Sequence, residues 1–128
     1  MSANADIVRS IYEAAIKGDI NAIMPVIDPQ ITIYEAASLP YGGEYHGHEG
    51  FSRLVTAVFT SWAAFEVDLK ELFDAGSTII AILQIRVTLK ESGRVVEMPV
   101  AEFWRLRDGK VVDLRPFYWD TAELRSNA

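Results

Sequence analysis

The sequence predicts an α+β fold: three helices in the N-terminal half, then a curved antiparallel β-sheet that packs on them. Three observations predict it. Apolar residues recur with a helical period in the first half of the chain. From Phe65 onward they alternate with period two in four successive segments. Short turns rich in Gly and Asp separate those segments, which suits hairpins between neighbouring strands.

The first helix is expected over Asp6 to Lys17, where Ile7, Val8, Ile11, Ala14, Ala15 and Ile16 form an apolar stripe and Gly18 stops it. Asp19 has the chemistry of an N-cap for a short helix through Ile27, closed by Asp28-Pro29. Ile31 to Glu35 alternates and reads as a strand. The stretch LPYGGEYHGHEG reads as a loop, followed by a third helix from about Glu49 to Ala63 with Phe51, Leu54, Val55, Val58, Phe59 and Trp62 on one side. Strands are expected over residues 65–74, 78–90, 94–107 and 110–119, turning at Asp74-Ala-Gly-Ser77, Glu91-Ser-Gly93 and Arg107-Asp-Gly-Lys110. Asp120 with Glu123 matches a capping box for a terminal helical turn.

Composition bounds the function classes. The 128 residues suit one domain spanning 1–128, with 50% hydrophobic and 23% charged residues, a globular balance. A formal charge of -6 and scattered basic residues argue against nucleic-acid binding. There is no cysteine, which excludes disulfides, thiolate nucleophiles and Cys-ligated zinc. The early charges Asp6, Arg9 and Glu13 do not suit a secretory leader, and the longest uncharged run, Leu54 to Phe65, falls short of the roughly 20 residues a bilayer span needs. A soluble cytoplasmic protein without a membrane association is expected.

The phase of the sheet exposes a candidate site. In the 78–90 segment, Ile79, Ala81, Leu83, Ile85, Val87 and Leu89 point one way, while Gln84, Arg86, Thr88 and Lys90 point the other. Folding the hairpin about Ser92-Gly93 sets the apolar group beside Val96, Met98, Val100, Glu102, Trp104 and Leu106. Within MPVAEFWRL, therefore, one carboxyl lies on an otherwise apolar face. A carboxylate there must find a partner or raise its pKa and stay protonated. Arg86 and Arg105 fall on the opposite face, so a cation does not serve. Either Glu102 is a polar group of a pocket, or a buried tyrosine satisfies it for structural reasons.

Glu35 keeps the phase of Ile31 and Ile33 and ends its strand beside the irregular loop. It reads either as a strand-end contact with solvent or as a second acid on the same cavity, where two environments can make one acid and one base. His46 and His48 sit two apart in that loop without a third metal ligand at a familiar spacing, so solvation is expected and no metal site. Tyr12, Tyr41, Tyr45 and Tyr118 each carry a hydroxyl that can serve a ligand or the core.

The order of elements, with KGDINAIMPVIDPQITIYE near the start and EMPVAEFWRLRDGKVVDL near the end, resembles the nuclear transport factor 2-like (cystatin-like) superfamily. Within it the chain is most similar to SnoaL-like and ketosteroid isomerase-like proteins. The resemblance implies a cone: a strongly curved sheet around the helices, open to an apolar pocket. It puts Glu35 on the position of the isomerases' general base, at the end of the first strand. It puts Glu102 on that of their protonated oxyanion acid, a carboxyl that an apolar site keeps neutral. The oxyanion tyrosine of the first helix aligns with Ile11, and Tyr12 is its neighbour. The Asp-Arg-Asp relay of limonene epoxide hydrolases is not matched, since Thr88, Arg86 and Phe117 stand there. The last-strand acid of SnoaL-type cyclases is replaced by Arg115-Pro116-Phe117.

The function expected from this resemblance is cofactor-free proton transfer next to a carbonyl of a small hydrophobic substrate, with Glu35 as the base and neutral Glu102, helped by Tyr12, as the donor to the enolate oxygen. Tyr41, Tyr45, Phe59, Leu83, Met98, Val100, Trp104 and Tyr118 are the expected substrate contacts. The alternative is a non-catalytic binding or interaction module with the same pocket. A homodimer is expected through the outer sheet face, where Phe103, Phe117 and Trp119 gather.

Overall fold

The computed structural model describes residues 2–125. Helix α1 (Ala3–Ile16) begins three residues before the expected start at Asp6, because the Ser2 side chain accepts from the Ala5 amide and satisfies an end that would otherwise lack a partner. Asp19 caps helix α2 (Ile20–Ile23), accepting from the Ala22 amide at 3.2 Å. The helix is shorter than expected. Pro25 has no N–H to return to the preceding turn, and the chain tightens into a 3₁₀ turn over Met24–Val26. Strand β1 (Ile27–Glu35) follows at once.

The expected loop holds a strand. Gly43–His46 forms β2 and pairs antiparallel with β1, from Thr32 opposite His46 to Glu35 opposite Gly43. Four residues are too few for alternation to register in sequence. The return from β1 depends on Gly42, where a Cβ would lie 2.4 Å from the Ala36 carbonyl oxygen. Gly47, at φ +71°, then turns the chain directly from β2 into helix α3 (Gly47–Thr60). His48, in the first turn of α3, is partly buried and bonds the Ile27 carbonyl through Nε2 at 2.6 Å, which ties α3 to the start of β1. His46 lies 3.4 Å from Glu44 across exposed surface. The expectation of two solvated loop histidines therefore holds for His46 and is corrected for His48.

Strands β3 (Ala64–Ala75), β4 (Thr78–Thr88), β5 (Val95–Arg107) and β6 (Lys110–Tyr118) form the antiparallel hairpins the turns predict. At the last turn Asp108 and Gly109 take φ +52° and +75°, two consecutive left-handed residues that match the twist of a tight hairpin. The sheet order is β2-β1-β6-β5-β4-β3. It is mixed rather than wholly antiparallel, because β1 joins β6 in parallel. Short turns dictate antiparallel pairing only between consecutive strands, and β1 and β6 are far apart in the chain. Register shifts near Lys70 in β3 and between Arg105 and Leu106 in β5 bend the sheet around the helices.

The inner face has the predicted phase. Ile79, Ala81, Leu83, Ile85 and Val87 pair with Trp104, Glu102, Val100, Met98 and Val96, and the apolar members are all buried. Gln84 and Arg86 lie outside, where Arg86 meets Glu66 at 3.7 Å and Glu97 at 3.5 Å. After β6, Asp120 accepts from the Ala122 amide and opens a 3₁₀ turn over Thr121–Leu124. Glu123 does not complete a capping box; it pairs with Arg94 at 2.9 Å instead. Among the described residues no helix is long and apolar enough to cross a membrane.

Candidate active site

A cavity of about 860 Å³ lies between the concave sheet face and the three helices. That is within the range of about 300–1,000 Å³ common for small-molecule sites. Its walls come from Ile11, Tyr12 and Ile16 on α1, Ile20 and Ile23 on α2, and Phe51, Leu54, Val55, Val58 and Phe59 on α3. The sheet adds Phe65 and Val67 from β3, Leu83 and Ile85 from β4, Val100 and Trp104 from β5, and Leu114 from β6. Ile16 and Phe59 are more than half exposed, so they mark the mouth, together with Lys17 and Glu66. Into this largely apolar space face two carboxyls, Glu35 and Glu102, and two tyrosines, Tyr12 and Tyr118.

Strand register brings the two acids together. Ile33 of β1 lies beside Leu114 of β6, which lies beside Trp104 of β5. Two residues further along, Glu102 sits opposite Pro116, and Glu35 ends β1 on the other side of the same row. Side chains two apart share a face, so both carboxyls point inward, their backbones two strand spacings or roughly 10 Å apart. Pro116 offers no N–H to a neighbour, and the β1–β6 ladder stops at Ile33 and Leu114. The sheet thus opens at the row that carries the acids.

Their surroundings differ. Trp104 Nε1 donates to the Tyr12 hydroxyl at 2.7 Å, and the Tyr12 hydroxyl donates to Glu102 Oε1. The two rings pack edge to face with centroids 5.6 Å apart. Glu35 has no such support: its Oε1 is buried without a hydrogen-bond partner. Burial pushes the Glu35 carboxyl up to about 8, and the charge of Glu102 adds to the rise. Burial pushes Glu102 up to about 7, with the Tyr12 hydrogen bond pulling the other way. Tyr12 is held well above its ordinary range by burial and by Glu102, and Tyr118 by burial, Tyr41 and the two acids. All four tyrosine and carboxyl groups therefore favour their neutral forms, and Glu102 is the one best placed to ionise first. Of the two readings of Glu35, the second acid on the cavity and not the strand-end contact with solvent is the one that fits, because the turns over residues 36–42 fold back at the strand end and β2 pairs alongside it.

Of the expected site residues, Glu35, Glu102, Tyr12, Phe59, Leu83, Val100, Trp104 and Tyr118 line the cavity. Tyr41, Tyr45 and Met98 do not. Tyr41 is buried behind Tyr118, their hydroxyls 2.8 Å apart. Tyr45 donates to the Tyr41 carbonyl at 2.8 Å and carries the Arg53 guanidinium 5.4 Å over its ring. Met98, one inward step beyond Val100, is buried past the end of the cavity and borders a separate cleft of about 350 Å³ with Arg94 and Trp119. The helical lining residues were legible only as core stripes, since a cavity wall and a packed core use the same apolar side chains. Among the described residues no group of three His, Asp or Glu is arranged to hold a metal ion.

The chain matches known proteins over most of its length. An NTF2-like protein from Burkholderia thailandensis E264 is 30% identical with a TM-score of 0.89, covering 100% of this chain and 99% of that one. An NTF2-like protein of unknown function from Burkholderia pseudomallei K96243 is 28% identical with a TM-score of 0.87, covering 97% and 95%. TerC, co-crystallised with polyporic acid, shares the fold at 20% identity and a TM-score of 0.85, covering 96% and 95%. Among curated proteins nothing matches. Residues 8–114 match the family model of the SnoaL-like domain, a span that runs from Val8 on α1 to Leu114 on β6 and includes both acids. The chain belongs to the SnoaL-like domain family.

Proposed function

We propose that the cavity is an acid–base site that moves a proton next to a carbonyl of a small hydrophobic substrate. One observation carries this reading: two carboxyls face one apolar cavity, one supported by a donor chain and the other buried with an unpartnered oxygen. Glu102 as carboxylate removes the proton from the carbon beside the carbonyl. The C–H electron pair becomes the enolate double bond, and the carbonyl pair moves onto oxygen. Neutral Glu35 hydrogen-bonds that oxygen, and Glu102 returns the proton at the same or a conjugated carbon. These roles are the reverse of those the resemblance implies, because Tyr12 supports negative charge on Glu102 while nothing supports it on Glu35. The carboxylate of Glu102 both takes the substrate's proton and returns it, so the step needs no cofactor.

Exchange of α-hydrogens for deuterium in 2-acetylnaphthalene, followed by proton NMR, tests this. Exchange above the buffer rate, lost in Glu102→Gln, is the expected result. Exchange that survives both Glu102→Gln and Glu35→Gln would falsify the reading.

A second reading is favoured by the bond from Tyr12, which satisfies Glu102 as a structural partner would. In it the cavity binds an apolar ligand without chemistry, as a neighbour of the fold co-crystallised with polyporic acid invites. The ketone then binds and no exchange occurs. In either reading we take the working form to be a homodimer through the outer sheet face, supported by the exposed Phe117 and Trp119 and by Phe103, which packs edge to face on Phe117 at 5.4 Å.

A further inference from the structure

The hydroxyls of Tyr41 and Tyr118 stand 2.8 Å apart, and the distance alone allows either to be the donor. Two hydroxyls carry two protons, and only one is used in the link between them. Whichever tyrosine accepts must place its own proton elsewhere. Tyr41 is 2% exposed, and among the described residues its hydroxyl has no acceptor other than Tyr118. The polar side chain packed edge-on against its ring is Trp62, at 5.9 Å between centroids. An indole N–H only donates, so Trp62 cannot take the Tyr41 proton. If Tyr118 were the donor, a buried hydroxyl proton would be left unpaired, which is costly. Tyr41 therefore donates to Tyr118. The Tyr118 proton is then directed away from Tyr41, on the side of the ring that lines the cavity.

The other aromatic donors beside the acids are already committed, which leaves Tyr118 and the neutral Glu35 of the acid–base reading to meet a ligand oxygen. The Trp104 N–H is used by Tyr12, and the Tyr12 O–H by Glu102. Tyr118 sits opposite Val100, one inward step along the sheet from Glu102, or roughly 7 Å of strand. We propose that the Tyr118 hydroxyl is a hydrogen-bond donor to the carbonyl oxygen of a ketone ligand, with Tyr41 as the positioning residue that aims it. This commits the ligand class to apolar molecules with an acceptor oxygen. Its catalytic consequence rests on the acid–base reading above; its binding consequence does not.

The test uses the full chain and 2-acetylnaphthalene, with two readouts. One is the carbonyl stretching frequency of the bound ketone by infrared difference spectroscopy. The other is α-hydrogen exchange. In the wild-type protein the stretch should fall below its value in hexane. Tyr118→Phe should move the stretch back toward the hexane value and weaken ketone binding about 2- to 10-fold, the worth of a neutral hydrogen bond. Where exchange occurs, this variant should slow it about 10²- to 10³-fold. Tyr41→Phe keeps the Tyr118 donor but no longer aims it, so the stretch should broaden and its shift shrink without vanishing. That variant also covers the case in which Tyr118→Phe does not fold.

A stretch unchanged by Tyr118→Phe overturns the assignment, as does a wild-type protein that binds no ketone or shows no shift. The shift pattern without exchange overturns the acid–base reading and leaves Tyr118 as the donor. Exchange that needs Glu102 but ignores Tyr118 does the reverse.

Discussion

The sheet carries aromatic and charged groups on both faces, yet the two faces behave as different solvents. Inward, Trp104, Tyr12 and Glu102 form a chain of donors ending on a carboxyl, with Glu35 and Tyr118 beside it. Outward, Arg86 spans Glu66 and Glu97 at 3.5 Å or more, with every partner over half exposed. Water screens the outer ions, so such pairs contribute about 0–1 kcal/mol. The inner groups have little water to fall back on, so each hydrogen bond decides which acid ionises. In the function proposed above, the same alternation of side chains separates chemistry from assembly, with polar groups serving the inner face and apolar ones the outer.

The largest effect should follow from removing the proposed base, Glu102. Glu102→Gln should slow α-hydrogen exchange about 10²- to 10⁴-fold, measured by NMR. If Glu35→Gln proves the more damaging, the order of ionisation inferred from the Tyr12 bond is wrong and Glu35 is the base.

The next effect is on stability. Both acids have folded pKa values raised from 4.5, to about 8 for Glu35 and about 7 for Glu102. A raised carboxyl binds more protons folded than unfolded, so its contribution is complete below about pH 4.5. It is lost as pH climbs through 7 and 8. Urea midpoints of the wild type should therefore fall over that window by more than those of the Glu35→Gln/Glu102→Gln double variant. Equal slopes would mean that the acids are solvated. The same pair predicts a bell-shaped rate profile, rising as Glu102 ionises near 7 and falling as Glu35 ionises near 8. Tyr12→Phe removes the bond that favours the Glu102 anion, and should move the rising limb to higher pH.

The outer face should respond in assembly and not in chemistry. Phe117→Lys should shift the mass seen by light scattering from dimer to monomer while exchange per chain changes less than about twofold. A wild-type protein that is already monomeric in dilute solution removes the dimer. The smallest effect belongs to Arg86→Ala, which should change stability by no more than about 0.5 kcal/mol in denaturant titration. A loss of several kcal/mol would show that this face is not in water, and would point back to a buried interface.

Local rules made much of this readable in advance. The phase of β4 and β5 was legible because alternation over 11 and 13 residues leaves no ambiguity about which side is apolar. Glu102 stood out by violating that alternation. The hairpin at Asp108-Gly109 was legible because few residues tolerate its backbone. Strand β2 was not, being four residues of mixed polarity whose only reason to be a strand is the free edge of β1.

By itself, then, the sequence determined the two long helices, the hairpins joining β3 to β6 and the inward faces of β4 and β5, because periodicity and turn chemistry act between near neighbours. Only the tertiary structure decided that β1 joins β6 in parallel and so puts Glu35 in the row of Glu102. It alone decided that Tyr12 reaches Glu102 while Glu35 has no partner, and that Met98 and Tyr41 stop short of the cavity. Those outcomes depend on how distant segments share space. A cavity is a place where packed side chains leave room, and no residue type encodes a void.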